Sequence, residues 1–315
     1  MADKIFGNRA LLAKVERTYG TDPTPDATND SMITSNLSIT PYGGNTVQIA
    51  NDQGFHGARK SFTTGAMVTV SFDINLAGSS AAGTVPVYEV LFKSCGLSDE
   101  TIVASTSVTY APVSNGETSI TMYVNLDGVQ HIVTGARGTF SLSMGRSAMP
   151  TISFTYTGIY NTPTDVALPT LVTTGWVDPV AINNDNTPTA TLDSYDMIMD
   201  QFTMDFGSNV VYRNLVNQEN VIISGREVTG SAHIGMPTVA AKSLYALVES
   251  HSGVTLGALT FSHGTTAANI VGITCPTTQV TSMSYDDSDG VAMCNLGFSM
   301  LPTSAGDDEI AYALT

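Results

Sequence analysis

The sequence is short of positive charge. Twelve Lys and Arg stand against 28 Asp and Glu, for a formal charge of −16, and charged residues make up only 13% of the 315. A groove that holds nucleic acid by neutralising phosphates needs clustered cations, so tight nucleic-acid binding is excluded as the main role. No run of 18 apolar residues occurs, so no membrane-spanning helix is expected. The first residues (Met1-Ala2-Asp3-Lys4-Ile5-Phe6) carry no apolar h-region, so an export signal is not expected. Cysteine is scarce and odd in number: Cys95, Cys275 and Cys294. With no C-x-x-C pair they suit neither a disulfide framework nor a zinc site, and read as small buried hydrophobes. One tryptophan, Trp176, and 8% aromatics leave little for a sugar-binding platform.

Catalytic patterns are also missing. The five histidines (His56, His131, His233, His251, His263) make no i, i+4 pair, and Gly145-Arg146-Ser147-Ala148-Met149 lacks the second glycine of a nucleophile elbow. Asp286-Asp287-Ser288-Asp289-Gly290 resembles a calcium loop. Placing Gly290 at its sixth position, however, puts Tyr285 first and Leu296 twelfth, where Asp and Glu are needed. It reads as an acidic hairpin turn. Neither an enzyme, a metal nor a cofactor is expected.

What is present is strand. Val68, Val70, Phe72, Ile74 and Leu76 alternate with polar residues, as do Phe140, Leu142 and Met144, and Ile152, Phe154 and Tyr156. Period-2 alternation with Gly, Asn, Asp and Pro punctuation predicts a mainly β chain of sandwich or barrel type. Residues 121–133 predict a hairpin turning at Asp127-Gly128. Two short amphipathic helices are predicted. One spans Val87 to Cys95 (Tyr88, Leu91, Phe92, Cys95) and the other Val239 to His251 (Leu244, Leu247, Val248, His251), each ending near a glycine, Gly96 or Gly253.

The halves repeat. Leu37-Ser38-Ile39 answers to Phe202-Thr203-Met204, and Gly44, Asn45 and Val47 to Gly207, Asn209 and Val211. Thr64-Gly65, Val68-Thr69, Ser71 and Ile74 answer to Ser224-Gly225, Val228-Thr229, Ser231 and Ile234. The helices match through Leu91-Phe92 and Leu247-Val248. Val108-Thr109-Tyr110 then aligns with Leu259-Thr260-Phe261, and Phe140 and Phe154 with Val280 and Cys294. The order of elements points to a duplication. It divides the chain into an N-terminal arm (1–30), a first domain (31–160), a Pro-rich linker (161–190) around Trp176, and a second domain (191–315). Charge is asymmetric: residues 1–160 hold 9 basic and 12 acidic residues, and residues 161–315 hold 3 and 16.

Several segments carry a family resemblance as a set. They are residues 11–23 (Leu11-Leu12-Ala13-Lys14-Val15-Glu16-Arg17-Thr18-Tyr19-Gly20-Thr21-Asp22-Pro23), Val108-Thr109-Tyr110-Ala111-Pro112-Val113-Ser114 and Asn125-Leu126-Asp127-Gly128-Val129. Gly135-Ala136-Arg137-Gly138-Thr139 and Leu301-Pro302-Thr303-Ser304-Ala305-Gly306-Asp307-Asp308-Glu309 complete it. The chain resembles a phage tail tube protein of the long, flexible, non-contractile class, in a duplicated two-domain form. The resemblance implies tandem β-sandwich or half-barrel domains, each flanked by a short helix, with strands of neighbouring subunits closing a barrel. It also implies stacked rings, with trimers giving pseudo-six-fold symmetry. Its partners would be other copies of itself, the tape-measure protein, and the tail terminator and distal tail proteins, in a virion tail assembled in the host cytoplasm. DNA would cross the lumen without tight binding. A lumen lined by carboxylates and small polar residues is expected from the charge. The other function class is a carbohydrate- or surface-binding β-sandwich adhesin.

Contact residues are expected at two places. Leu11, Leu12 and Val15 form an apolar helical stripe on an arm that cannot bury it alone. Tyr123, Val124, Leu126, Asp127, Gly128 and Val129 form a ribbon rather apolar for free exposure. Both are expected to meet a neighbouring subunit or ring, so a chain lacking residues 1–20 should fold but not polymerise.

Overall fold

The computed structural model describes residues 3–315. The chain is mainly β, with 18 strands in one continuous antiparallel network, a separate two-stranded hairpin and two one-turn helices. The first half comprises β1 (Arg9–Val15), β2 (Ser31–Met32), β3 (Ser35–Gln48), β4 (Ser61–Asn75), α1 (Glu89–Lys93), β5 (Asp99–Val103), β6 (Ser107–Ala111), β7 (Ile120–Leu126), β8 (Val129–Gly145), β9 (Thr151–Tyr160) and β10 (Thr164–Asp165). The second comprises β11 (Thr189–Leu192), β12 (Tyr195–Asp196), β13 (Met199–Asp205), β14 (Ser208–Leu215), β15 (Gln218–Arg226), β16 (Thr229–Gly235), α2 (Leu244–Val248), β17 (Leu256–His263), β18 (Val271–Ser288), β19 (Val291–Met300) and β20 (Ala311–Leu314).

Strand pairing in the two halves follows one scheme. The first runs β2-β1-β7-β8-β9-β4-β3. The second runs β12-β11-β17-β18-β19-β16-β13. Even the trailing strands agree, with β10 beside the start of β8 and β20 beside the start of β18. The distal part of the long β3–β4 hairpin corresponds to the β14–β15 hairpin. A glycine with positive φ marks the bend in each, Gly44 or Gly207. The first half alone inserts β5–β6, and β6 pairs with β20, tying the halves together.

The pairing register corrects part of the predicted repeat. The place of β17 is held by β7, not by the segment Val108-Thr109-Tyr110 (β6). With Ser71 matched to Ser231, the partner of Phe72 on β9 is Phe154, and the partner of Ala232 on β19 is Leu296. Leu296, not Cys294, therefore stands where Phe154 stands. Met283, not Val280, stands where Phe140 stands, since each faces that residue across the ladder. Bulges at different points along β8 and β18 shift the count without disturbing the order.

Residues 9–15 are not a free arm and not helical. They form β1, paired residue for residue with β7, with Leu11 and Leu12 buried inside the chain. A strand reading Ala-Leu-Leu-Ala sealed on both faces has the continuous apolar run of a central strand, which alternation alone does not separate from a helix turn. The helices are shorter than predicted, five residues each. Leu91 and Phe92 from α1, and Leu244 and Leu247 from α2, enter one core that spans both halves. Trp176 anchors the irregular linker. Its indole N–H donates to the Ser31 carbonyl (3.3 Å), and its ring lies 6.0 Å from that of Tyr88. All three cysteines are free and buried, and burial pushes the Cys95 and Cys275 thiols up to about 12.

Candidate assembly edges and polar sheet face

Besides the β6–β20 pair, the halves join through a second strand pair. The end of β8 lies beside β13, with Leu142 opposite Met204 and Met144 opposite Phe202. Both strands carry a clean apolar/polar alternation, so the joint keeps every apolar side chain on the core side. Leu142 is 3% exposed there and Met204 2%. The result is an eight-stranded band, β3-β4-β9-β8-β13-β16-β19-β18, and among the described residues β3 has no strand partner beyond β4 and residues 280–288 of β18 have none beyond β19, whereas residues 271–279 of β18 pair with β17.

These edges are the two faces of the internal joint, repeated without their mates. Residues 36–40 of β3 correspond to 201–205 of β13, and residues 284–288 of β18 correspond to 141–145 of β8. Tyr285 takes the place of Leu142 but is 59% exposed, and Ile39 takes the place of Met204 but is only partly covered. An open strand edge with unburied apolar side chains is a pairing surface.

The outward face of the band is polar row by row. Asp73, Ser153, Ser141, Asp205, Thr229, Ser299 and Gln279 stand opposite one another across seven strands. The next row is Asn75, Thr151, Ser143, Thr203, Ser231, Gly297 and Ser282. Thr203 and Ser231 share a hydrogen bond of 2.8 Å above a shallow depression of about 300 Å³. Neither row carries Lys or Arg. Arg146, just past β8, is paired with Asp200 at 2.9 Å, and Asp200 also meets His233 Nδ1 at 3.1 Å. Asp286 lies on the same face. The Asp287 N–H, then the Asn295 amide and His233, hold its carboxyl below its ordinary range. Hydroxyls can donate or accept and are readily solvated, so the two rows offer a phosphate no cation, and the one arginine at their margin, Arg146, is already held by Asp200.

The structure answers the reasons that singled out the predicted contact residues. Leu11 lies in the common core, Leu12 is buried on the strand's other face, and Val15 packs partly buried against the core. Val124 is buried, and the Tyr123 hydroxyl donates to Asp22 (2.5 Å). Leu126 and Val129 close the turn, paired with each other. Asp127 and Gly128 form that turn with φ of 43° and 89°. The Asp127 carboxylate accepts from the Ile5 N–H (2.6 Å) and the Asn8 amide (3.2 Å). β7 is thus an inner strand between β1 and β8, not an exposed ribbon. The free edges at Ile39 and Tyr285 were missed. Their signal was already in the repeat: apolar residues on strands whose equivalents are joined.

Residues 7–314 match a family model described as phage tail tube protein. No curated protein matches the chain.

Proposed function

Since the chain belongs to the phage tail tube protein family, a structural component of the virion tail that assembles with itself, we propose that its copies close into rings by repeating between chains the joint made inside each one. The β3 edge of one copy adds to the β18 edge of the next. Matching the internal register, Leu142 with Met204 becomes Tyr285 with Ile39, and Ser143 with Thr203 becomes Asp286 with Ser38. With two equivalent modules per chain, three copies give a ring of pseudo-six-fold symmetry. The polar face then lines the bore, where Ser, Thr and a few Asp let genomic DNA pass without gripping it and leave room for the tape-measure protein. The Asp127-Gly128 turn stays a ring-to-ring contact in this reading, because Ile5 and Phe6 stand exposed beside it. Stacked rings would be capped by the terminator and distal tail proteins.

The observation that carries the reading is the contrast between a sealed internal joint and two unsealed copies of its halves. Ile39→Glu puts a charge opposite Tyr285 while leaving the monomer's own pairings intact. We expect folded single chains by size exclusion and no tubes by negative-stain microscopy. Normal tubes from this variant would overturn the reading.

A further inference from the structure

The β14–β15 hairpin does not lie on its own module. It crosses onto the first half, packing against β8 and β9. Val221 is buried there, its N–H donating to the Tyr19 hydroxyl (2.5 Å) and its carbonyl accepting from Arg137 (2.9 Å). Farther along, the Tyr212 hydroxyl donates to the Ala66 carbonyl (3.2 Å). The seat includes Gly65: a Cβ built there would stand 3.2 Å from the Asn214 Cβ.

The corresponding position in the second half is Gly225, and a Cβ built there meets nothing within 4 Å. Around it opens a groove of about 530 Å³, lined among others by Glu117, Gly225, Glu227, Ser299 and Asp307. Ser224, Gly225, Glu227 and Ser299 correspond to Thr64, Gly65, Met67 and Thr157 of the occupied seat. One module's seat carries a hairpin, with a cleft of about 470 Å³ left beside it, and the other's carries none.

The element that would fill it by the same rule is the distal β3–β4 hairpin, residues 43–64, which leaves Val47 and Phe62 more than half exposed. Its far end carries Arg59 and Lys60, two of only 12 cations in the chain. The groove is acidic, with Glu117, Glu227, Asp307 and Glu309 around a single Arg226, itself bonded to Asp307 and Glu309. Opposite charge on the two surfaces favours their meeting.

We infer that the 43–64 hairpin of one copy seats in the groove around Gly225 of the neighbouring copy in the same ring, a lateral clasp beside the strand joint. The inference rests on the ring closure proposed above, and the two copies it joins are those whose β3 and β18 edges meet. In the internal seat Asn214 lies over Gly65, so between chains Ala50 lies over Gly225.

The test is cysteine cross-linking in assembled protein, with the three native cysteines buried. Ala50→Cys with Gly225→Cys reports the clasp, and Ser38→Cys with Asp286→Cys reports the strand joint alone. Under oxidation on a non-reducing gel, the clasp pair is expected to give covalent multimers that stop at the copy number of one ring, while each single variant gives none. An open-ended ladder would place the contact between stacked rings and overturn the lateral seat. No product from the clasp pair, with the strand-joint pair linking normally, would overturn the clasp and leave ring closure standing. Failure of both pairs would remove both.

Discussion

Glu16 carries four hydrogen bonds on a nearly buried carboxylate. Ser119 Oγ (2.6 Å) and the Gly20 N–H (2.7 Å) donate to one oxygen, Thr121 Oγ1 and the Gly135 N–H (both 2.7 Å) to the other. The single side chain thus ties the end of β1 to β7, β8 and the turn at Gly20. Glu16→Ala leaves buried donors without an acceptor, and we expect a loss of about 3 kcal/mol, read by urea denaturation in the non-assembling Ile39→Glu background. Asp307 is a second anchor. The Ser114 hydroxyl first, then Arg226 and the Ser114 N–H, hold its carboxyl below its ordinary range. A depressed folded pKa means stability that is complete above the unfolded value of about 4 and is lost as pH falls through the folded value. Melting temperature should therefore be insensitive to this group between about pH 5 and 7 and fall below about pH 4. Asp307→Asn should flatten that acid limb, and an unchanged limb would show that Asp307 does not contribute to it. The side chain is 39% exposed, so solvent screening keeps the effect modest.

At the scale of elements, β1 sets what truncation does. Its seven residues all pair with β7, and Leu11 sits in the core. Removing residues 1–20 is now expected to unfold the first module rather than yield a folded, non-polymerising chain. Leu11→Ala alone should cost about 2–5 kcal/mol, measured by denaturation in the same background. A soluble, cooperatively melting 1–20 deletion would contradict this. Much of the element pattern was legible before the structure. Val68 to Leu76, Phe140 to Met144 and Ile152 to Tyr156 alternate with period two because one face of each strand meets a core and the other does not. Leu37-Ser38-Ile39 and Phe202-Thr203-Met204 look alike in the sequence, and each stretch lies at the same place in its half's pairing scheme, Ser38 opposite Ser71 and Thr203 opposite Ser231. The reading failed where that physics is silent. Leu11 and Leu12 lie in a strand covered on both faces, which erases alternation. Val108-Thr109-Tyr110 mimics β17 in composition, but only pairing partners tell an inserted hairpin from a repeated strand. Phe154 was matched to Cys294 instead of Leu296, two residues away on the same face, a slip that alternation cannot detect.

At the scale of the whole molecule, the excess of carboxylates matters less for its size than for where cations are missing. A lumen of carboxylates and small polar residues was expected from charge alone. The rows on the band's outward face run mostly through serine and threonine, with Asp73 and Asp205 among them and Asp286 on the same face. Alternation explains the selection: each of these strands must present an apolar residue inward at every second position, and the residues between are free to suit whatever the other face meets. If that face is the bore, its function is not to bind. Ser141, Thr203 and Ser231 lie on adjacent strands around the central depression. Ser141→Lys, Thr203→Lys and Ser231→Lys together would place a cationic patch there, repeated around every ring. Tubes of the triple variant should retain double-stranded DNA at low salt and release it as salt rises. The slope of log K against log salt should steepen by about 0.9 for each phosphate contacted, and unsubstituted tubes should retain none. If the lysines leave DNA retention unchanged while tubes still form, the polar face does not line the path that DNA takes.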